Sequence, residues 1–302
     1  PNYKVWNMDN ELNGTHRASV TLPRTGIILA ATPLGNLGDA SPRLVYALEH
    51  ADVVAAEDTR RTRQLANALG VTITGQIISN FDHNEESRVD TLLAHARTGN
   101  VLVVTDAGMP SVSDPGFPLV DRALDEGIPV TCFPGPSAVP TALALSGLHV
   151  GTFCFDGFAP RKDGARREWL KEVATQKRAT CFFESPHRLA ATLALAAEIV
   201  GKDRRAAVAR ELTKLHEEVK RGTLGELAQW AAEGVRGEIS VVIEGAPATE
   251  RELDVEEIVP LVLQAVDEGE RLKTAAKRLS AEYQVSSKAL YDACLVRRNN
   301  SE

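Results

Sequence analysis

Val101-Leu-Val-Val-Thr-Asp-Ala-Gly-Met-Pro-Ser-Val-Ser-Asp-Pro-Gly116 joins a short apolar run to a loop of unusual composition. The eleven residues from Asp106 to Gly116 hold two glycines, two prolines, two serines and two aspartates. An apolar run of this length, bounded by turn residues, predicts a strand buried on both faces, the signature of a largely parallel sheet. The loop behind it has the residues that fix irregular backbone and expose its polar groups.

The same grammar recurs on either side. Ile27 to Ala31 runs into Thr32-Pro-Leu-Gly-Asn-Leu-Gly-Asp39, Val53 to Ala56 into Glu57-Asp-Thr-Arg60, and Val130 to Phe133 into Pro134-Gly-Pro-Ser137. Helices fit between these strands. Val89, Leu92, Leu93 and Ala96 share a face, as do Leu119, Val120, Ala123 and Leu124, after which Gly127 stops the helix. A second set begins near Gly151. Phe153–Phe158, Ala179–Phe183, Ala206–Ala209 and Ile239–Ile243 read as strands. Arg166–Val173, Pro186–Val200 and Thr223–Ala232 read as helices.

The expected architecture is therefore two α/β domains, residues 26–147 and 148–247, with a hinge at 146–151. Residues 1–25 lack periodicity and are expected to form a flexible leader. Residues 250–298 change composition and are expected to form a small helical domain, with breaks at Gly269 and 284–287. Among 302 residues, 43% are hydrophobic and 25% charged, and no apolar run reaches the roughly 18 residues of a membrane span. The expected location is cytoplasmic. The four cysteines form no CxxC pair and read as buried free thiols. The histidines show no HxxxH spacing, so no metal site is expected.

Every strong signal lies at the carboxyl end of a strand, where open α/β sheets bind ligands. The loop from Thr32 to Asp39 lacks both GxGxxG and the Gly-Lys-Ser/Thr of a nucleoside-triphosphate loop. Read alone, it serves equally as a turn in which Asp39 or Ser41 caps the next helix. Ser137 opens a helix, whose free N–H groups suit a carboxylate or hydroxyl. Strand ends also carry Asp58, Glu184, His187 and Glu211, the candidate proton acceptors. The net charge of −7 argues against a polyanionic partner, but local clusters oppose it. Arg60, Arg61 and Arg63 form one. Arg161 to Arg178 holds seven basic residues against three acidic ones, with Arg161, Lys162, Arg166 and Arg167 at its front. Lys214 adds a further cation.

Taken together, ATPLGNLGD (31–39), AAEDTRRT (55–62), DAGMPSVSDPG (106–116), PGPSA (134–138), GFAPRKDGAR (157–166), ESPHRL (184–189), ARELTKLHEEVKRGTL (209–224) and GEISVVIEG (237–245) resemble the ribosomal RNA small-subunit methyltransferase I family of the tetrapyrrole-methylase superfamily. The chain departs from the family pattern at Met109 and Ser111. The resemblance implies an S-adenosylmethionine donor in a cleft between the two α/β domains. Its expected contacts are Pro33, Leu34, Gly35, Asp106, Gly108, Pro110, Ser113, Ser137, Ala138, Phe183, Leu212 and Ile239. It also implies 2′-O-methylation of a cytidine ribose in the decoding region of 16S rRNA, within the 30S subunit, by a homodimer. Two rivals share the fold: a methylase of a small tetrapyrrole and a non-catalytic RNA-binding factor. All of this requires the loops carrying Asp106, Ser137 and Leu212 to converge.

Overall fold

The computed structural model describes residues 21–80, 85–111, 116–247, 255–283 and 285–299. Most of the expected leader, and Ser113, lie outside these residues. The chain divides into two compact units, 1–245 and 246–302.

The first sheet of the larger unit contains β1 (Gly26–Ala30), β2 (Val53–Ala56), β3 (Gln76–Ser79), β4 (Asn100–Val104) and β5 (Val130–Phe133). Their order is β3-β2-β4-β1-β5, and every pair is parallel. Alternate residues of a strand face opposite sides, so the continuous apolar runs feed two cores. Ile27, Val53, Val101 and Val103 pack with Leu92 and Leu93 of α3 (Glu85–Thr98) and Leu119 of α4 (Phe117–Asp125). Ile28, Val54, Leu102 and Val104 pack with Leu44 and Leu48 of α1 (Pro42–His50). Helix α2 (Thr59–Ala68) follows β2. Ser41 caps α1, its Oγ accepting from the Leu44 N–H at 3.1 Å.

Strand β5 is at the sheet edge and leaves Cys132 exposed, which corrects the expectation of four buried thiols; Cys181 and Cys294 are buried and Cys154 partly so. All four are free.

The second sheet has the order β6-β7-β10-β8-β9: β6 (Phe153–Phe158), β7 (Ala179–Glu184), β8 (Arg205–Arg210), β9 (Glu218–Thr223) and β10 (Ile239–Ile243). Here only β6 and β7 run parallel; the other pairs are antiparallel. Apolar runs report burial on both faces and not strand direction, so the largely parallel reading holds for the first sheet alone. The sequence reading also lacks β9, whose Glu-Val-Lys-Arg-Gly-Thr sequence is that of a charged edge strand.

One face of this sheet packs Phe182, Val208 and Val241 against α6 (Asp163–Thr175), α7 (Pro186–Ile199) and α8 (Leu224–Ala232). The other face packs Cys181, Ala209 and Val242 against Val139, Ala142 and Leu143 of α5 (Ala138–Ser146). Helix α5 thus leaves the first sheet and lies on the second. Arg221 of β9 donates to the Leu145 carbonyl at the C-terminal end of α5. This crossing brings the carboxyl edge of the first sheet against the second.

The smaller unit packs α9 (Val255–Asp267), α10 (Leu272–Glu282) and α11 (Ser287–Asn299) around Ile258, Val262, Ala276, Leu279 and Leu290. The two α/β layers and the helical C-terminal segment match the expected fold class. Among the described residues no helix is long and apolar enough to cross a membrane.

Candidate functional site

The loops after β1 and β4 brace one another. Thr32 N–H donates to the Gly108 carbonyl at 2.9 Å and Gly108 N–H to the Thr32 carbonyl at 3.1 Å. Thr32 Oγ1 adds a buried bond to the Thr105 carbonyl. Gly108 has a φ of 87°, which a side chain would strain. The loop after β2 locks into the same place. Asp58 N–H donates to Asp106 Oδ1 at 3.2 Å, Arg61 pairs with Asp106 Oδ2 at 3.0 Å, and Asp106 N–H donates to Glu57 Oε2 at 3.0 Å. These bonds exist because β2 and β4 are neighbours, a pairing the chain order does not dictate.

Asp58 has a second commitment as the N-cap of α2, accepting from the N–H groups of Arg60 and Arg61. The Arg60 guanidinium bonded to it, followed by the Arg60 backbone N–H, holds its carboxyl below the usual carboxylate range.

Across the cleft, the turn between β8 and β9 is strained. Glu211 and Thr213 have φ values of 50° and 65°. With Ser111 they are the only non-glycine residues with positive φ among the described residues, and all three lie in loops at the cleft. Lys214 Nζ sits 2.9 Å from Glu211 Oε1 and 3.0 Å from Glu238 Oε2. Burial opposes the Lys214 charge, yet the Glu211 and Glu238 carboxylates raise its pKa above the ordinary lysine value. The Glu238 N–H donates to Glu211, which together with Lys214 keeps the Glu211 carboxyl below its usual range. The stem of Lys214 lies over Gly35, where a Cβ would come within 2.2 Å of Lys214 Cγ. The β1 loop and the β8–β9 turn therefore touch across the cleft.

Between these loops lies a cavity of about 380 Å³. Asp106, Ser137 and Leu212 all line it, as the convergence argument requires. So do Leu34, Gly108, Ala138, Phe183, Glu184, Ile239 and Arg61. Pro33 and Pro110 are buried in the supporting loops, and Gly35 lies under Lys214. His187 is exposed on the first turn of α7. Ser137 opens α5 without a side-chain cap, so the first-turn N–H groups have no partner from it.

Glu184 is in the wall but its side chain has 0% exposure. Its Oε1 accepts from Ser185 N–H at 2.7 Å and pairs with Arg188, and its Oε2 accepts from Thr192 Oγ1 at 2.6 Å. Such a carboxylate anchors the β7–α7 turn and has no accessible edge for a substrate hydroxyl. Several wall residues were not named as site residues from the sequence, among them Glu57, Glu238 and Phe158, although all three lie within the quoted motifs; Phe158 reads simply as the end of an apolar strand.

The basic clusters differ in what they offer. Arg166 is buried and bonded to Asp163, and Arg167 pairs with Asp163 and Glu198. The two were expected to join Arg161 and Lys162 in gripping a polyanionic partner; α6 instead turns Arg166 inward and pairs Arg167 with two carboxylates. Arg161 and Lys162 are exposed and have no ion pair among the described residues. Arg60 and Arg63 are exposed on α2, with Arg60 tied to Asp58. Among the described residues no group of three or more His, Cys, Asp or Glu could hold a metal.

Residues 26–228 match the family model of the tetrapyrrole (corrin/porphyrin) methylases. The chain is 54% identical over 277 residues to ribosomal RNA small subunit methyltransferase I of Mycobacterium bovis, covering 91% of this chain and 96% of that one. It is 37% identical to the protein of that name from Escherichia coli O157:H7, covering 89% and 94%. The structure of uroporphyrin-III-C-methyltransferase from Thermus thermophilus superimposes with a TM-score of 0.53 at 18% identity, over 73% of this chain and 94% of that one.

Proposed function

As the chain belongs to the tetrapyrrole methylases, and within them to the ribosomal RNA small subunit methyltransferase I family, we propose that it methylates the 2′-hydroxyl of a cytidine ribose in the decoding region of 16S rRNA. The carrying observation is the convergence of loops from both sheets on one cavity with a mixed apolar and acidic wall.

S-adenosylmethionine supplies the electrophilic methyl group of this reaction. The cavity suits that molecule. Its volume of about 380 Å³ lies in the small-molecule range of roughly 300–1,000 Å³. Leu34, Ala138, Leu212 and Ile239 offer apolar wall for an adenine ring, and Asp106, Glu57 and Glu238 offer negative charge near a cationic donor. The open first turn of α5 suits a carboxylate.

The residues' main task in this reading is orientation, which can lower a barrier by several kcal/mol. Among the sequence candidates, Glu184 and Asp58 spend their oxygens holding loops. Glu211, whose Oε1 is held by Lys214 and the Glu238 N–H, and His187 remain as acceptors for the ribose proton. In this reading Arg61 and Lys214, each also paired with carboxylates, meet phosphate at the rim, and Arg161 and Lys162 grip the backbone farther out. We take the particle substrate to be the 30S subunit, the enzyme to be a cytoplasmic homodimer, and the lobes to divide near residues 146–151.

The test is transfer of labelled methyl from the donor to assembled small subunits, naked 16S rRNA and a tetrapyrrole in parallel. Label in rRNA at one cytidine, with the adjoining phosphodiester resistant to alkali, is the expected result. Label on the tetrapyrrole alone, or on the base, would overturn the proposal.

A further inference from the structure

Phe158 is the last residue of β6 and lines the cavity, yet 59% of it is exposed. What sets this ring apart from other exposed apolar side chains is that it stands at the mouth of the cavity. The backbone puts it there. The β6–β7 register shifts between Phe155, opposite Cys181, and Phe158, opposite Phe183. Three residues of β6 span two of β7, and Gly157 takes a φ of 67° within the bulge. A bulge re-aims the side chain that follows it. Phe183 meets the Phe158 ring edge-on, with centroids 5.5 Å apart and planes at 64°. The segment is then fastened: Ala159 N–H donates to the Phe183 carbonyl, and Arg188, paired with Glu184, donates to the Ala159 carbonyl at 3.2 Å. Three residues on, Arg161 and Lys162 are exposed cations without ion pairs among the described residues.

A rigid, exposed ring followed by unpaired cations is the combination that single-stranded nucleic acid requires: a face for a base and charge for its phosphates. Resting on the rRNA-methylation reading, we propose that Phe158 is a base-stacking platform that holds an unpaired nucleobase of the RNA at the cleft mouth, with Arg161 and Lys162 on the flanking phosphates. The platform makes an unstacked, single-stranded target segment the substrate form. It also sets substrate affinity apart from donor affinity.

The experiment compares Phe158→Leu, Phe158→Tyr and wild type in the full chain. It measures kcat/KM for methyl transfer to assembled small subunits and donor affinity by calorimetry. Leucine keeps apolar bulk and removes the π face. Phe158→Leu should lose roughly fivefold to hundredfold in kcat/KM, the range for one base–aromatic stack. Phe158→Tyr should stay near wild type, and donor affinity should hold in both. Equal kcat/KM for Phe158→Leu and wild type overturns the platform. So does a parallel loss of donor affinity, which would mean that the exposed ring at the cavity mouth contacts the donor and not a base. If wild type does not methylate rRNA at all, the underlying reading fails first, and that outcome is distinct.

Discussion

Replacing Gly35 by alanine tests whether the two lobes of the cleft are in register through Lys214. The added Cβ would lie 2.2 Å from Lys214 Cγ and 3.1 Å from Cδ and Cε. Carbon atoms settle at about 3.5–4.0 Å, so Cγ must retreat by about 1.3 Å or more. Cγ is near the backbone, and Nζ is held by Glu211 and Glu238, so the side chain cannot simply swing away. Gly35 does not have a left-handed φ, so the effect is steric. Overpacking of this kind costs about 1–3 kcal/mol. For a unit of this size each kcal/mol lowers Tm by about 2–4 °C. Gly35→Ala should therefore lower Tm by about 2–12 °C and weaken donor binding about tenfold, because Leu34 and Leu212 move with the displaced loops. Thermal unfolding and calorimetry read both. The deciding measurement is the double-mutant cycle. Lys214→Ala removes the obstructing atoms, so adding Gly35→Ala to it should cost almost nothing. An unchanged Tm and donor affinity in Gly35→Ala would refute the argument, as would an undiminished loss in the Lys214→Ala background.

Asp106→Ala removes the acceptor of two bonds that join the β2 and β4 loops, from Asp58 N–H and Arg61, and should lower Tm. Its carboxylate also lines the cavity; one bond from it to the cationic donor would contribute about 1.5–3 kcal/mol, so donor affinity should fall by at least tenfold in calorimetry, and an unaltered isotherm would exclude the role. Reversing both Arg161 and Lys162 to glutamate should flatten the slope of log affinity for RNA against log salt by about 1.4, at about 0.7 per phosphate contact for single strands. Arg166→Ala should leave that slope intact and lower Tm, since Arg166 is buried against Asp163; the reverse pattern would contradict the assignment. The Glu211 carboxyl is held below its usual 4.5 by the Glu238 N–H and by Lys214. A depressed folded value contributes stability that is present above 4.5 and lost as pH falls through the lower folded value. Glu211→Gln should therefore flatten the acid limb of Tm against pH below about 4.5 and leave the slope near pH 7 unchanged; an identical acid limb would count against it.

Local sequence determined the elements and the loops that carry chemistry. Apolar runs such as Val101–Val104, bounded by turn residues, predict strands, and dense glycine, proline and aspartate after them predict irregular loops. The motifs quoted in order sufficed for the family. Tertiary structure decided which charges are free, because pairing depends on neighbours distant in the chain. Arg166 and Arg161 look alike in sequence, yet one is buried on Asp163 and the other faces solvent. Glu184 looks like a base at a strand end, but α7 returns Arg188 and Thr192 to it and occupies its oxygens. Strand direction in the second sheet, the crossing of α5 and the bulge that opens Phe158 likewise follow from long-range pairing, which period and composition do not encode.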